Sequence, residues 1–307
     1  MKIVVTGGAG FIASHIVDAY ISLGHQVVVI DNLSSGNKRF LNSQAQFFQI
    51  DVRDKAKINE IFTKIKPEIL SHHAAQMDVR KSVANPMFDA DVNIMGLINL
   101  LEAGRKNSLK KVIFASSGGA VYGDATQTPT PETYPASPAS PYGVSKLSSE
   151  YYLNFYFLAY GISFIALRYG NVYGPRQNPH GEAGVVAIFT KKLLNNDQPV
   201  INGDGLQSRD FVYVEDVVHA NNAALSKEGN LIANIGTSKA TSINEICDTL
   251  VKLTQKSFPQ LHADPKPGEQ RLSLLDVTKA KQNLGWSAQV LLTEGLARTI
   301  DFFTHET

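Results

Sequence analysis

A single cysteine, Cys247, stands in 307 residues. With no second thiol the chain can close no internal disulfide and lacks the spaced ligand pairs of a structural zinc site, so a reducing compartment is expected, with Cys247 as buried filler on a helix. An excess of one charge is missing too. Against 29 basic residues stand 28 acidic ones, a formal net of +1 that gives no global bias toward nucleic acid or anionic lipid. No partner of either kind is expected, and a small molecule is. Nor does any apolar run reach the length of a membrane span. The opening run Ile3 to Val5 is cut by Gly7, Gly8 and Gly10 before it could serve as a signal-peptide core, so cytoplasm is the expected location. What is plentiful is apolar side chain, 43 % of residues, ample for a sizeable core in one large domain or two.

Short β-branched or apolar runs alternate with longer helical patterns through the first half: Ile3 to Val5, Val27 to Ile30, Phe47 to Ile50, Ile69 to Ser71, Val112 to Ala115 and Phe164 to Leu167. This is the βαβ rhythm of an α/β, Rossmann-like doubly wound parallel sheet. Helices are expected near Phe11 to Leu23, Lys55 to Ile65 (N-capped by Asp54), Asp89 to Lys106 and Pro141 to Ala159. After Tyr169 the rhythm breaks into "GNVYGPRQNPHGEAG", a helix near Val185 to Leu194, "INGDG" and a strand near Asp210 to Val214. The division expected is a dinucleotide-binding domain over 1–170, to which the chain returns at about 211–235, and a smaller C-terminal substrate-binding lobe over 171–307. The run "TQTPTPETYPASPASP" reads as an ordered surface loop, because candidate site residues flank it on both sides.

Gly7-x-x-Gly10-x-x-Ala13 follows the first strand and opens the first helix. The first glycine permits a tight turn, the second a close backbone approach to a pyrophosphate, and the small third residue close helix packing. Backbone N–H groups at the helix start then bind the anion. Asp31, 24 residues after Gly7, ends the second strand, where a carboxylate accepts hydrogen bonds from ribose hydroxyls and repels a 2′-phosphate, favouring NAD. Lys38 and Arg39 keep NADP open, since they could offset that repulsion. Asp51 is placed either to meet the adenine or simply to begin a turn.

Tyr142 and Lys146 are spaced i, i+4 and share one helix face. A phenol with its reference pKa of about 10 is a poor base at neutral pH; a lysine and a positive nicotinamide nearby would favour the phenolate. "FASSGGAVYG" reads as a strand running out at Ala115 into two hydroxyls, and either Ser117 or Ser116 can hydrogen-bond a reacting oxygen. His72 and His73 are read as packing near the cofactor, and His180 as loop structure; no metal site is expected, for want of a third ligand at a recognisable spacing.

"VTGGAGFIAS", "DNLSSG", "HHAAQ", "SSGGAVYG", "SPYGVSK", "RYGNVYGPRQ" and "GDGLQSRDFVYVEDVV" together resemble the extended short-chain dehydrogenase/reductase family, and within it the UDP-glucose 4-epimerases. The resemblance implies NAD as cofactor, a UDP-sugar as substrate and Ser117, Tyr142 and Lys146 as the catalytic set. It implies cofactor contacts from Gly7, Gly10, Phe11 and Ile12, then from Asp31, Asn32, Ser35 and Gly36, from Asp51 and Val52, and from Ala74, Ala75, Gln76 and Asn93. Ser116, Tyr142, Lys146 and Tyr169 complete that side. Toward the substrate it implies Ser117, Gly118 and Asn171, the helix start Gly184, Val185 and Val186, and Asn202, Arg209, Arg271 and Ser273. Lys266 and Glu269 stand where the family more often shows Arg and Asp, and Phe211 where a tyrosine is common.

Related 4,6-dehydratases carry an acidic pair or a glutamate where this chain has Gly118 and Gly119. Removing water needs an added acid and base, whereas epimerisation needs one tyrosine and reversible hydride transfer. Ser273 matches a position that limits the C2 side of the sugar, and a small serine leaves room for an N-acetyl group. The rival readings are a nucleotide-sugar 4-reductase, which would consume its cofactor, and a catalytically inactive NAD-sensing protein, which would have no need of Ser117, Tyr142 and Lys146 together. Finally, Tyr151, Tyr152, Phe155, Tyr156 and Phe157 spread round more than one helix face. With the family resemblance this implies a homodimer built on this helix and the one near Asp89 to Lys106; a helix buried all round inside a monomer is the alternative.

Overall fold

The computed structural model describes residues 1–180, 184–265 and 270–306. The strands of the first half are β1 (Lys2–Thr6), β2 (Gln26–Asp31), β3 (Gln46–Gln49), β4 (Ile69–His72), β5 (Lys111–Ser117) and β6 (Ser163–Tyr169). Those of the second are β7 (Asn171–Tyr173), β8 (Val200–Asn202), β9 (Ser208–Tyr213), β10 (Leu231–Ile235), β11 (Ala240–Ser242), β12 (Leu261–Ala263) and β13 (Leu272–Ser273). Between the early strands lie helices α1 (Phe11–Ser22), α2 (Lys55–Ile65), α3 (Val79–Ala84), α4 (Pro86–Ala90), α5 (Gly96–Arg105), α6 (Gly118–Val121) and α7 (Pro141–Tyr160). Later come α8 (Val185–Leu194), α9 (Val214–Ser226), α10 (Ile243–Leu253), α11 (Thr278–Leu284) and α12 (Leu292–His305). No helix among the described residues is long and apolar enough to cross a membrane.

Seven strands form one parallel sheet in the order β3-β2-β1-β4-β5-β6-β10. Its strands are apolar nearly throughout because both faces are covered. Alternation assigns each side chain a layer: Ile3 and Val5 enter the core that holds Ile16 of α1 and Val217 of α9, while Val4 enters the one built with Ile58, Leu100 and Leu153 of α2, α5 and α7. The strand order reverses beside β1, between β1 and β4, and ligands of such sheets bind at the carboxyl ends next to that reversal. Thr6, Asp31, His72, Ser117 and Tyr169 all end their strands there. A second sheet sets β9 between β11 and β13, with β7 also on β9, and a β8–β12 pair lies apart. Its core includes Tyr173, Phe189, Phe211, Ile246, Cys247 and Leu296.

Three elements depart from expectation. The helix anticipated from Asp89 begins at Pro86, because Asn85 accepts from Phe88 N–H and starts it there, and it passes through a π turn at Asp91–Met95. Strand β5 does not run out at Ala115 but carries both serines, pairing Ser117 with Tyr169, and the glycines after it open a helical turn. The strand expected near Asp210 to Val214 belongs to the second sheet, so re-entry to the large sheet starts with α9 rather than at Phe211.

Candidate active site

At the end of β1, Gly7 donates to Ile30 O and accepts from Gly10 N–H, both at 2.9 Å, at φ +72°. Helix α1 starts at Gly10 with no side chain capping it, so the N–H groups of Phe11 and Ile12 belong to the uncapped first turn. Asp31 is buried at the end of β2, accepting from Ala9 N–H at 3.0 Å and Leu33 N–H at 2.8 Å. A Cβ on Gly36 would stand 3.1 Å from both of its carboxylate oxygens, so the missing side chain is what leaves that carboxylate room. An uncapped helix start and a walled carboxylate with spare lone pairs fit the pyrophosphate and ribose of a dinucleotide. Ser35 lies exposed on the same loop.

Other expected contacts are engaged by the protein itself. Asp51 is gripped by Arg53 at 2.9 Å through both oxygens and by Asn32 at 2.9 Å, with the Arg53 guanidinium holding its carboxyl down to about 2. Val52 is core, wedged against Gly96. Arg39, weighed as a 2′-phosphate partner, pairs with Glu306. Past β4, Ala74 N–H donates to Thr6 Oγ1 at 3.2 Å, Ala75 follows, and the Asn93 carboxamide brackets Gln76, accepting from its N–H and donating to its carbonyl, both at 2.9 Å. The Tyr169 hydroxyl takes a bond from Asn221 at 2.8 Å and its ring stacks on His73. His72 bonds Thr6 Oγ1 at 2.7 Å and stacks on Phe114.

Helix α7 is started by Pro141 and capped by Ser140, which accepts from Gly143 N–H at 3.2 Å. A Cβ on Gly143 would lie 2.5 Å from Ala120 O, so glycine lets α7 close on α6. That approach sets Tyr142 near Ser117, whose hydroxyl acts to lower the phenol's pKa. Lys146 is buried, donating to Ala115 O at 2.8 Å with its ammonium 5.7 Å from the Tyr142 ring centre. Burial pushes the Tyr142 phenol up to about 12, against the Ser117 hydroxyl, which pulls it down, and with the Asp89 charge adding to the rise. Burial likewise pulls the Lys146 ammonium down to about 8, opposed by Asp89 and Glu150. In the protein alone burial outweighs the groups that favour a phenolate, and the positive nicotinamide that the sequence reading set beside Lys146 has still to be added.

Strand alternation separates the two serines. Ser116 is buried and donates to Glu150 at 2.6 Å, so the hydroxyl beside Tyr142 is that of Ser117. Glu150 also binds Arg168 through both oxygens, at 2.9 and 2.6 Å. Two buried carboxylates near the site were thus missed in the sequence. Glu150 was legible, one turn past Lys146 on the same face; Asp89, contributed by a helix fifty residues earlier, carried no such signal.

On the opposite side, Gly118 packs against Leu275, while a Cβ on Gly119 would reach Ser273 Oγ at 3.9 Å and Asn171 Oδ1 at 4.0 Å, so these three meet. Pairing brings them there: β9 sets Phe211 beside Asn171 and Arg209 beside Ser273. Arg209 donates to Ser208 O at 2.9 Å. Asn202 and Arg271 line a cavity of about 420 Å³ with Asp204, Gln207 and Pro265, and Arg271 is held there by Asp204 at 2.7 and 2.8 Å. Gly184 starts α8 uncapped, followed by half-buried Val185 and by Val186 in the core. Phe211 is core, edge-on to Tyr173. Lys266 and Glu269 lie outside the described residues. A larger hollow of about 570 Å³, lined by Lys2, His25 and Lys64, sits at the amino ends of β1 and β2, the opposite edge of the sheet from this site.

Residues 3–236 match the model of the NAD dependent epimerase/dehydratase family. The UDP-glucose 4-epimerase of Mycolicibacterium smegmatis is 43 % identical over 100 % of this chain and 99 % of its own. The structure of UDP-glucose 4-epimerase from Thermotoga maritima with UDP-glucose superposes with a TM-score of 0.97 at 48 % identity, covering 99 % of this chain and 98 % of that one. That of UDP-N-acetylglucosamine 4-epimerase from Methanobrevibacter ruminantium, in complex with UDP-N-acetylmuramic acid, gives 0.93 at 36 % identity over 98 % and 97 %. With a dinucleotide cradle, a tyrosine and lysine at the sheet's carboxyl edge and a match over three-quarters of its length, this chain belongs to the NAD dependent epimerase/dehydratase family.

Proposed function

We propose that this protein inverts C4 of a UDP-hexose, interconverting UDP-glucose and UDP-galactose through a transient 4-keto sugar. The observation that carries the reading is the composition of the site around Tyr142. Ser117, Tyr142 and Lys146 converge, while Gly118 and Gly119 stand where a dehydratase would set an acid, and among the described residues Gly119 faces Ser273 and Asn171. When bound, NAD accepts and returns hydride and brings a positive ring near the phenol. Tyr142 takes the C4 hydroxyl proton as the carbonyl forms and gives it back when the carbonyl is reduced. Ser117 hydrogen-bonds that oxygen, and the Lys146 cation draws the phenol toward phenolate. Arg209 and Arg271 hold the diphosphate while the keto sugar turns over its other face; to do so Arg271 exchanges Asp204 for phosphate.

In this reading the dinucleotide lies on residues 1–170 with the returning segment, and the nucleotide sugar on 171–307. Asp31 selects NAD, and Gly7, Gly10, Phe11 and Ile12 take the pyrophosphate. Small Ser273, facing Gly119, leaves space at C2, so the N-acetylated pair UDP-GlcNAc and UDP-GalNAc is accepted as well. The protein works in the cytoplasm as a homodimer. Purified protein given UDP-galactose, and separately UDP-GalNAc, with no added cofactor should form the C4 epimers, resolved by chromatography. Tyr142→Phe should lower turnover by about 10²–10⁴-fold, the usual contribution of a positioned acid–base group. Products unchanged by that substitution would overturn the assignment of Tyr142, and turnover of UDP-galactose alone would remove the N-acetylated sugars.

A further inference from the structure

Lys146 is a cation in an unfavourable place. It is 4 % exposed, and its ammonium donates to a single backbone carbonyl, Ala115 O. Burial drives the proton off an ammonium unless negative charge stands near. Two carboxylates act on it, Asp89 and Glu150. Glu150 is already answered: Arg168 binds both of its oxygens and Ser116 donates to one, so at short range that pair is neutral. Asp89 differs. It is fully buried, and its hydrogen-bond partners are all uncharged: Gln76 Nε2 at 3.1 Å and Asn93 Nδ2 at 3.0 Å on one oxygen, Ser145 Oγ at 2.6 Å on the other. The remaining titratable groups facing Lys146 are Tyr142 on its own helix and His72 and His73 at the end of β4, both kept neutral by burial.

The same carboxylate is a mechanical tie. Ser145 lies between Tyr142 and Lys146 on α7, while Gln76 and Asn93 belong to the segment after β4 and to the helix crossing beneath it. We infer that Asp89 is a positioning residue of the reaction proposed above, on which this inference rests: it fastens the Gln76 segment to the helix bearing Tyr142 and Lys146, and its charge is what lets Lys146 remain an ammonium in the site.

Two variants separate charge from tie. Asp89→Asn keeps the shape and can keep all three hydrogen bonds, its carbonyl accepting from Gln76 and Asn93 and its amide donating to the Ser145 hydroxyl, while removing the charge. Ser145→Ala removes one bond and leaves the charge. In the purified protein with its bound NAD and lysines labelled with 13C at Cε, NMR follows the Lys146 titration without substrate, the resonance being assigned by its loss in Lys146→Met. Asp89→Asn should move the Lys146 midpoint, and the alkaline limb of the kcat profile, to lower pH by about one unit, and Ser145→Ala should move neither. An unmoved midpoint in Asp89→Asn, or an equal shift in Ser145→Ala, overturns the inference. Should Asp89→Asn fail to fold, Asp89→Glu, which keeps the charge and displaces the tie, decides: a Lys146 midpoint unmoved from the parent's upholds the inference, and a fall as large as that expected of Asp89→Asn overturns it. The titration needs no turnover, so failure of the epimerase reading would show in the substrate assay and leave this result standing.

Discussion

Ser116 and Ser117 are neighbours of identical chemistry, yet the alternation of β5 gives one to Glu150 and the other to Tyr142. In the sequence both were open, because the two-residue difference in where the strand ends decides which of them faces outward. The glycines divide similarly. A Cβ at Gly7 would stand 2.7 Å from Ala74 N and 3.0 Å from Ala74 Cα, backbone atoms that cannot swing aside, at φ +72°. At Gly10 the nearest atom is the Gly7 carbonyl at 3.1 Å, and φ is −83°. Both glycines lie on the proposed pyrophosphate cradle, but only the first is also required by the fold. Gly7→Ala should lower the unfolding free energy by about 2 kcal/mol or more, read from urea denaturation. Gly10→Ala should change it by less than about 1 kcal/mol while weakening NAD binding at least tenfold in calorimetry. Equal stabilities for the two variants would show this division to be wrong.

Helix α2 could be bounded from sequence to the residue because Asp54 caps it, accepting from Lys57 N–H at 3.1 Å. The helix before β5 starts earlier than expected, because Asn85-Pro86, an N-cap followed by proline at the first helical position, sets its beginning. That region matters for assembly. On α7, Tyr151, Phe155 and Leu158 share one face and are 70, 51 and 74 % exposed, and Met87 on neighbouring α4 is 83 % exposed. A helix buried all round is thereby excluded. In the homodimer proposed above, these exposed aromatic and aliphatic side chains on two packed helices are the surface that a second copy covers with the same face. Phe155→Glu with Leu158→Glu should turn a species of twice the chain mass into one of the chain mass by light scattering, with an unchanged circular dichroism spectrum. A double variant still at twice the mass would place the interface elsewhere.

At the scale of the whole molecule, the sheet's carboxyl edge joins function to stability, because site residues and strand ends are the same residues. The parallel, doubly wound sheet was legible from the βαβ rhythm, as parallel strands with crossover helices leave few alternatives. The buried polar groups at that edge were not, since their partners come from distant segments. His72 is the case with a measurable consequence. It is 1 % exposed, bonded to Thr6 and stacked on Phe114, and burial, with the Lys146 charge nearby, holds its imidazole well below the usual histidine value. The sign follows directly. As pH falls through about 6.5 the unfolded chain takes up a proton at His72 that the folded chain refuses, so the unfolded state gains. Above that pH both states are neutral there and His72 adds no pH dependence; below it the folded state loses about 1.4 kcal/mol per pH unit for this one group. Partly buried His73 and His15 are shifted in the same direction, so the loss compounds. Urea denaturation at pH values from 5 to 8 should therefore show stability falling below pH 6.5. In His72→Asn, which can keep the bond to Thr6 Oγ1, the slope below 6.5 should be shallower by one proton while the values above pH 7 run parallel. Equal slopes in the two proteins would mean that His72 accepts its proton in the folded state, and that the sheet edge opens enough in solution to let it.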